Sequence, residues 1–264
     1  MRNFIFISLM VMLLGTGLLL AGEQAALASS QTEYEAKISE IAELYEDVKR
    51  SENTEEILNI MEEVKAIARE LQEEYTHSCR ANWEAAKALS NYNYFADLEE
   101  AEAVEILEEG KDYAERAVEA DPENARAHFW QGAIIGELGQ EEGIMSSLAS
   151  VEPMQEALEK SIDLNPDFPP AHDAMAQLYS EAPGWPVSIG DDEKALEHRK
   201  KSVELASDNS QYLWRLYENY RELGREDEAQ KTLEDILNLP EKNDYVREDV
   251  AAYKEKAEAA LEGF

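Results

Sequence analysis

Soft-ligand chemistry is scarce in this chain of 264 residues, which carries one cysteine and four histidines. A lone Cys79 excludes any intramolecular disulfide, so packing alone must hold the fold. On a helix, His77 and Cys79 point to different faces, which argues against a thiol–imidazole pair and leaves Cys79 as a small packing residue. His77, His128, His172 and His198 lack metal-ligand spacing, so neither a metal nor a cofactor is expected. Cations are also few: 24 lysines and arginines stand against 58 aspartates and glutamates, a net charge of −34. Such a field repels nucleic acid and anionic lipid, removing both as partners. Two readings of the excess stay open, a solvated acidic exterior and a surface for a cationic partner, and its spread along the whole chain favours the first. Eight prolines and twelve glycines are few, while Ala, Glu and Leu abound, which points to helix rather than strand. There is no nucleophile elbow, phosphate loop, dinucleotide fingerprint or zinc-protease helix. Carboxylate pairs occur everywhere, so none stands out as an acid/base dyad, and the chain reads as a non-enzyme.

What is present begins with an N-terminal export signal. Arg2 precedes an apolar stretch from Phe4 to Ala21, and Ala26-Leu27-Ala28 offers a small-x-small cleavage site. Residues 1–28 are therefore expected to be a signal peptide that sends the mature chain to the periplasm or another extracytoplasmic space, with no membrane insertion after cleavage. An uncleaved anchor is the alternative, because about 18 apolar residues can almost span a bilayer. Glu23 stands where a lipobox would have its cysteine, which excludes lipid attachment there.

The rest is dominated by repetition. Ala117-Val-Glu-Ala-Asp-Pro-Glu-Asn-Ala-Arg-Ala-His-Phe-Trp-Gln-Gly132 is echoed by Ser161-Ile-Asp-Leu-Asn-Pro-Asp-Phe-Pro-Pro-Ala-His-Asp-Ala-Met-Ala176. It returns as Ser202-Val-Glu-Leu-Ala-Ser-Asp-Asn-Ser-Gln-Tyr-Leu-Trp-Arg-Leu-Tyr217. Each copy is a helix, an Asx-Pro-type turn and a second helix, a unit that buries its apolar face only by stacking on neighbours. The pattern matches the 34-residue tetratricopeptide unit, with small residues such as Gly132, Ala176 and Ala117 where the helices meet. The expected fold is an all-α, tetratricopeptide-like solenoid of about four hairpins across residues 79–240. An N-terminal helical segment (29–78) precedes it and a capping helix (241–264) follows it, running from Asp244 to Leu261 with Val246, Val250, Tyr253 and Ala257 on one face. His128 and His172 occupy equivalent repeat positions, which predicts shared packing.

The spacing exceeds 34 in an orderly way: Pro122 to Pro166 is 44 residues and Pro166 to Ser207 is 41. Alignment puts the extra residues between the two helices of each unit, near Tyr94–Ala103, Gln140–Ser150 and Glu181–Gly190. Insertions at one point per repeat emerge on one edge of a solenoid, so three long loops are expected to form a rim. Phe95, Ile144, Met145, Leu148, Trp185, Pro186, Val187 and Ile189 are apolar residues in these stretches. They either stay exposed or tuck beneath the hairpins.

A more specific resemblance rests on Asn82-Trp-Glu-Ala-Ala86, Gly110-Lys-Asp-Tyr-Ala-Glu-Arg-Ala-Val-Glu-Ala-Asp-Pro122, Ala127-His-Phe-Trp-Gln-Gly132 and Ala182-Pro-Gly-Trp-Pro-Val-Ser-Ile-Gly-Asp191. Over roughly Arg80 to Leu237 the chain resembles the T-component family of TRAP transporters, periplasmic tetratricopeptide proteins. The eukaryotic regulators of microtubule dynamics share parts of this pattern. The resemblance implies an exported adaptor beside a periplasmic substrate-binding protein and a permease, a cavity for a small apolar ligand, and assembly into a homo-oligomer. The missing lipobox cysteine and the two N-terminal helices depart from it. The expected function is a tetratricopeptide adaptor that binds a protein partner; the alternative is a small apolar-ligand-binding protein whose cavity the rim closes. The groove is expected to be lined by Phe129, Asp173, Gln177, Trp214, Glu218 and Arg221, with Trp185 from the rim. Trp214 and Arg221 are the expected anchors.

Overall fold

Among the described residues, short polar side chains start five helices, and one repeated turn ends three helices. The computed structural model describes residues 29–51, 53–240 and 250–263. The expected signal peptide, and the start of the expected capping helix with Val246, lie outside them. The described residues divide into two compact units between Glu43 and Leu44. Residues 29–50 are helical (α1), as the spacing of Ile38, Ile41, Ala42 and Tyr45 predicts, and within the first unit Gln31 Nε2 donates to Glu35 Oε1 at 3.0 Å.

The second unit continues with α2 (Thr54–Glu74), α3 (Cys79–Phe95), α4 (Glu100–Ala120), α5 (Ala125–Glu141) and α6 (Ile144–Leu164). It ends with α7 (Pro169–Glu181), α8 (Asp192–Leu205), α9 (Ser210–Glu222), α10 (Glu226–Leu237) and α11 (Val250–Leu261). Asn53, Ser78, Asn124, Asp191 and Asn209 cap α2, α3, α5, α8 and α9 by accepting bonds from first-turn N–H groups. At α2 the Asn53 carboxamide reaches both Glu55 N and Glu56 N.

The repeated turn is one piece of geometry used three times. The C-cap N–H groups of Asp121, Asn165 and Ala206 bond to Ala117, Ser161 and Ser202. Three residues on, Asn124, Phe168 and Asn209 donate back to the same C-cap carbonyls. Ala117, Ser161 and Ser202 are fully buried, so the helix contact there admits only small side chains. The imidazoles brace two of these turns: His128 Nε2 lies 2.8 Å from Pro122 O, and His172 Nε2 lies 2.9 Å from Pro166 O. Their equivalence is indeed one of packing.

Within this unit each helix packs chiefly on its chain neighbours, giving the hairpins α3–α4, α5–α6, α7–α8 and α9–α10 in solenoid order, with α2 against α3 and α11 against α10 and α9. Gly132 shows how close the paired helices run, since a Cβ added there would sit 3.0 Å from Leu158 Cγ and 3.3 Å from Ala157 Cβ.

The expected long loops need correction. Two of the three inserted stretches are mostly helix: α4 and α6 are each 21 residues long, against 12 for α10. The connections before them shrink to residues 96–99 and 142–143. Glu100-Ala-Glu-Ala-Val104 and Ile144-Met-Ser-Ser-Leu-Ala149 contain good helix formers and no glycine or proline, so the chain winds instead of looping. Only residues 182–191, with Pro183, Gly184, Pro186 and Gly190, stay irregular.

Candidate functional site

The residues expected to line the groove separate into buried and exposed sets. Phe129 is 9% exposed and packs edge-on against Trp130 and Phe168, with ring centroids 5.0 and 5.3 Å away. Asp173 is 6% exposed, and its carboxylate is shared by Arg199 Nη1 and Arg215 Nη1. Both belong to the packed interior rather than to an open groove, because the next hairpin closes over them. Gln177 is half-buried and donates to Glu181 Oε1 at 2.8 Å. Trp214 is half-buried between Tyr217 and Tyr253, donates Nε1–H to Glu218 Oε1 at 2.8 Å, and carries Lys256 Nζ 5.8 Å from its ring. Part of this anchor candidate is therefore occupied by α11. Glu218 and Arg221 are exposed, and Trp185 stands 89% in solvent.

The ionic cluster around Asp173 escaped the sequence reading. Arg199 also donates Nε–H to Asn219 Oδ1 at 3.4 Å and Nη1–H to the Asp173 carbonyl at 3.3 Å, while Asn219 Nδ2 donates to Ser180 Oγ at 3.1 Å. Together these bonds tie α7, α8 and α9. The available signal was Arg199 itself, which falls on the apolar stripe of Ala195, Leu196 and Ser202. A cation in such a stripe needs a buried anion. Burial pushes the Arg199 guanidinium down and Asp173 pulls it back up.

Other ionisable groups play structural parts. Burial, then Asp121, pushes the Cys79 thiol up to about 11, so it is nearly all thiol at neutral pH and a poor nucleophile. It packs against the cluster of Trp83, Ala117 and Ala127. The Glu62 carboxylate that accepts from Tyr92 pushes that phenol up to about 12. His198 Nδ1 lies 3.2 Å from His172 Nδ1, and its ring stacks on Tyr179 at 5.8 Å; burial, then His172, lowers its proton affinity.

Among the described residues, the exposed large apolar side chains lie in or beside the connections between paired helices. Trp185 (89%), Ile144 (87%), Met145 (79%) and Val187 (65%) are largely in water, with Tyr94 (51%) and Leu148 (38%) less so. Gln140 Nε2 donates to Glu181 Oε2 at 3.2 Å, joining the end of α5 to the end of α7. An open hollow of about 770 Å³ lies between the start of α4 (Glu99, Glu100, Ala101, Val104) and the α5–α6 connection with the start of α6 (Glu142, Ser146). The three connections therefore share one edge, although two of them are short. Phe95 is half-buried beside Tyr94, and Ile189 packs against the core cluster that includes Met175 and Tyr179, so those two tuck in while the others stay out.

Backbone bonds hold the irregular loop in shape. Gly190 N donates to Pro183 O and Asp191 N to Tyr179 O, both at 3.0 Å. Gly190 lies so close to the loop's other strand that an added Cβ would stand 2.0 Å from the Ala182 carbonyl oxygen. Trp185 is thus displayed on a closed frame, and its bond to Pro186 is cis.

Comparison with known proteins places this architecture. A thermophilic TPR protein of Thermus thermophilus superposes with a TM-score of 0.62 at 16% identity, covering 86% of this chain and 98% of that one. The pilF protein of Pseudomonas aeruginosa does so at 0.54 and 14% identity, covering 86% and 85%. Both likenesses are of fold. By sequence, the regulator of microtubule dynamics protein 3 of Bos taurus is 30% identical over 209 residues, and that of Rattus norvegicus 29% identical over 192. These alignments take in 71% and 67% of this chain but 42% and 40% of the relatives, so the chain spans about two fifths of the length of the curated relatives it matches. The family model described as regulator of microtubule dynamics protein 1-3 matches residues 37–179. That match starts within α1, so the N-terminal helices left unmapped by the sequence resemblance lie almost wholly inside the family region. With the model covering more than half of its residues, the chain belongs to the regulator of microtubule dynamics protein 1-3 family.

Proposed function

We propose that this chain is an exported, non-enzymatic helical-repeat scaffold that captures a protein partner on its rim. The observation that carries the reading is the exposure of Trp185, Ile144, Met145 and Val187 on one edge. Several exposed large apolar side chains on one edge are unusual on a protein that acts alone, and Trp and Met are favoured at interface centres. Burying each such side chain contributes about 1.5–3 kcal/mol, enough for a few of them to anchor a partner. Gln177, Glu218 and Arg221 add polar contacts on α7 and α9. Trp214 is a poorer anchor, since part of its ring already packs on α11. The hollow near the rim is open and bears Glu99, Glu100 and Glu142, which suits a small apolar ligand poorly.

Fold likeness to tetratricopeptide proteins supports a scaffold, and the N-terminal apolar stretch with its Ala26-Leu27-Ala28 site supports export. A finer version makes the chain the accessory component of a TRAP-type solute uptake system, with a periplasmic substrate-binding protein as partner. It is supported by the resemblance of Ala182–Asp191 to that family's loop. The test is a photo-crosslinking residue at position 185 or at exposed Glu197 on α8. A protein adduct is expected from 185 and not from 197. Its absence, or equal yields from both positions, would overturn the reading.

A further inference from the structure

The rim combines its apolar residues with an uncommon charge pattern. Residues 94–105, 140–152 and 181–193 carry five, three and four carboxylates, and no lysine or arginine. The chain as a whole has 24 cations to 58 anions, so a cation-free run across three separate segments departs from its average. Lys194, the next cation along, sits 5.1 Å from the Tyr179 ring. Glu142 and Glu181 adjoin Ile144 and the Trp185 loop, while Glu99 and Glu100 line the neighbouring hollow. This edge thus carries exposed Ile144, Met145, Trp185 and Val187 on segments that are rich in carboxylates and free of lysine and arginine.

Resting on the scaffold reading above, we infer that the rim's partner is a basic amphipathic segment, its apolar face on Trp185, Ile144 and Met145 and its lysines or arginines against the carboxylates of these segments. Each half of the pattern excludes a class. A purely apolar partner leaves the carboxylates to be desolvated unpaired, and an acidic protein or anionic membrane is repelled. A polybasic but hydrophilic chain leaves the apolar side chains in water. Met and Trp suit an amphipathic helix, because a flexible thioether and a broad ring fit many apolar faces. The carboxylates give the complex a salt-dependent on-rate, while the apolar side chains govern how long it lasts.

The test uses the full mature chain and synthetic peptides of about 18 residues, five turns of helix. One places Leu at i, i+3, i+4 and i+7 spacing and Lys between them to make a basic amphipathic helix, a second has Glu in place of Lys, and a third has Ser in place of Leu. Binding is followed by calorimetry and tryptophan emission. The Leu/Lys peptide should bind and shift emission to the blue, with affinity falling as salt rises. The other two should bind at least about tenfold more weakly. Trp185→Ala should abolish the blue shift, and Ile144→Ser with Met145→Ser should weaken binding by about tenfold; all three side chains are exposed, so these variants fold. Tight binding of the Leu/Glu peptide, unchanged affinity in the variants, or an equal blue shift with phosphatidylcholine vesicles would overturn the inference. A protein crosslinked through position 185 together with a failed Leu/Lys titration would overturn it and leave the scaffold reading standing.

Discussion

Replacing Asp173 with alanine removes the carboxylate that Arg199 and Arg215 share. The side chains of Asp173 and Arg199 are 8% and 4% exposed, and that of Arg215 is 28%. In Asp173→Ala, Arg215 can turn towards water, but Arg199 stays enclosed. Its remaining acceptors are then neutral: Asn219 Oδ1 and the carbonyl of residue 173, at 3.4 and 3.3 Å. An uncompensated buried charge of this kind costs about 3–5 kcal/mol. The partial exposure of Arg215 puts the expected loss near the lower end, about 3 kcal/mol. For a chain of this size that lowers the melting temperature by roughly 6–12 °C.

A second variant separates charge from packing. Asp173→Leu, Arg199→Met and Arg215→Leu together remove both signs at similar volume, which should be neutral or stabilising by about 1–4 kcal/mol. Urea titration measures both variants. Hydrogen exchange at the α8 amides checks that the loss is local to α7–α9 before it spreads to neighbouring hairpins. A loss below about 1 kcal/mol in Asp173→Ala, the range of a surface pair, would refute the buried-cluster account. So would a triple variant as unstable as the single one.

Two further outcomes follow from the geometry. His172 Nε2 donates to the Pro166 carbonyl, so its Nδ1 is free to accept from His198 Nδ1–H. Burial and His172 hold the proton affinity of His198 below its ordinary value of 6.5, while Glu197 and Glu159 oppose the shift and Lys194 adds to it. The unfolded chain then takes up the proton first. This contribution is complete above pH 6.5 and is lost as pH falls below it, so urea midpoints should decline there, and less steeply in His198→Phe. Equal slopes in the two proteins would contradict the assignment. Gly190→Ala forces a Cβ to 2.0 Å from the Ala182 carbonyl oxygen, so the loop must open. Faster proteolysis within residues 182–191, with melting little changed, is the expected result; an unaltered cleavage rate would show that the closed frame does not depend on this glycine.

The repeated turns were legible because their chemistry is local. Asp121-Pro122 and Asn165-Pro166 prescribe where a helix stops, Asn124 and Asn209 prescribe where the next begins, and none of this needs a distant partner. Even the third turn, which has Ala206-Ser207 in place of Asx-Pro, keeps the same two backbone bonds. The small residues at Ala117, Ser161 and Ser202 mark the helix contact for the same reason: only the paired helix decides their size. The inserted stretches were harder to read. Aligning them to a 34-residue unit counts extra residues without saying what they form, and Glu100–Val104 and Ile144–Ala149 lengthen helices because nothing in them breaks one.

The groove was misread at Phe129 and Asp173 for a reason built into solenoids. Repeat position says which side of a helix a residue occupies, but whether that side is open depends on how far the next hairpin leans across it. Here Phe168, at the start of α7, closes on Phe129, and the arginines of α8 and α9 close on Asp173. The rim escapes this uncertainty. Trp185 lies in the irregular connection and Ile144 and Met145 in the first turn of α6, beyond the reach of the neighbouring helices that bury the groove positions. Apolar residues therefore mark that edge in the fold as they do in the sequence, even though two of its three loops became helix.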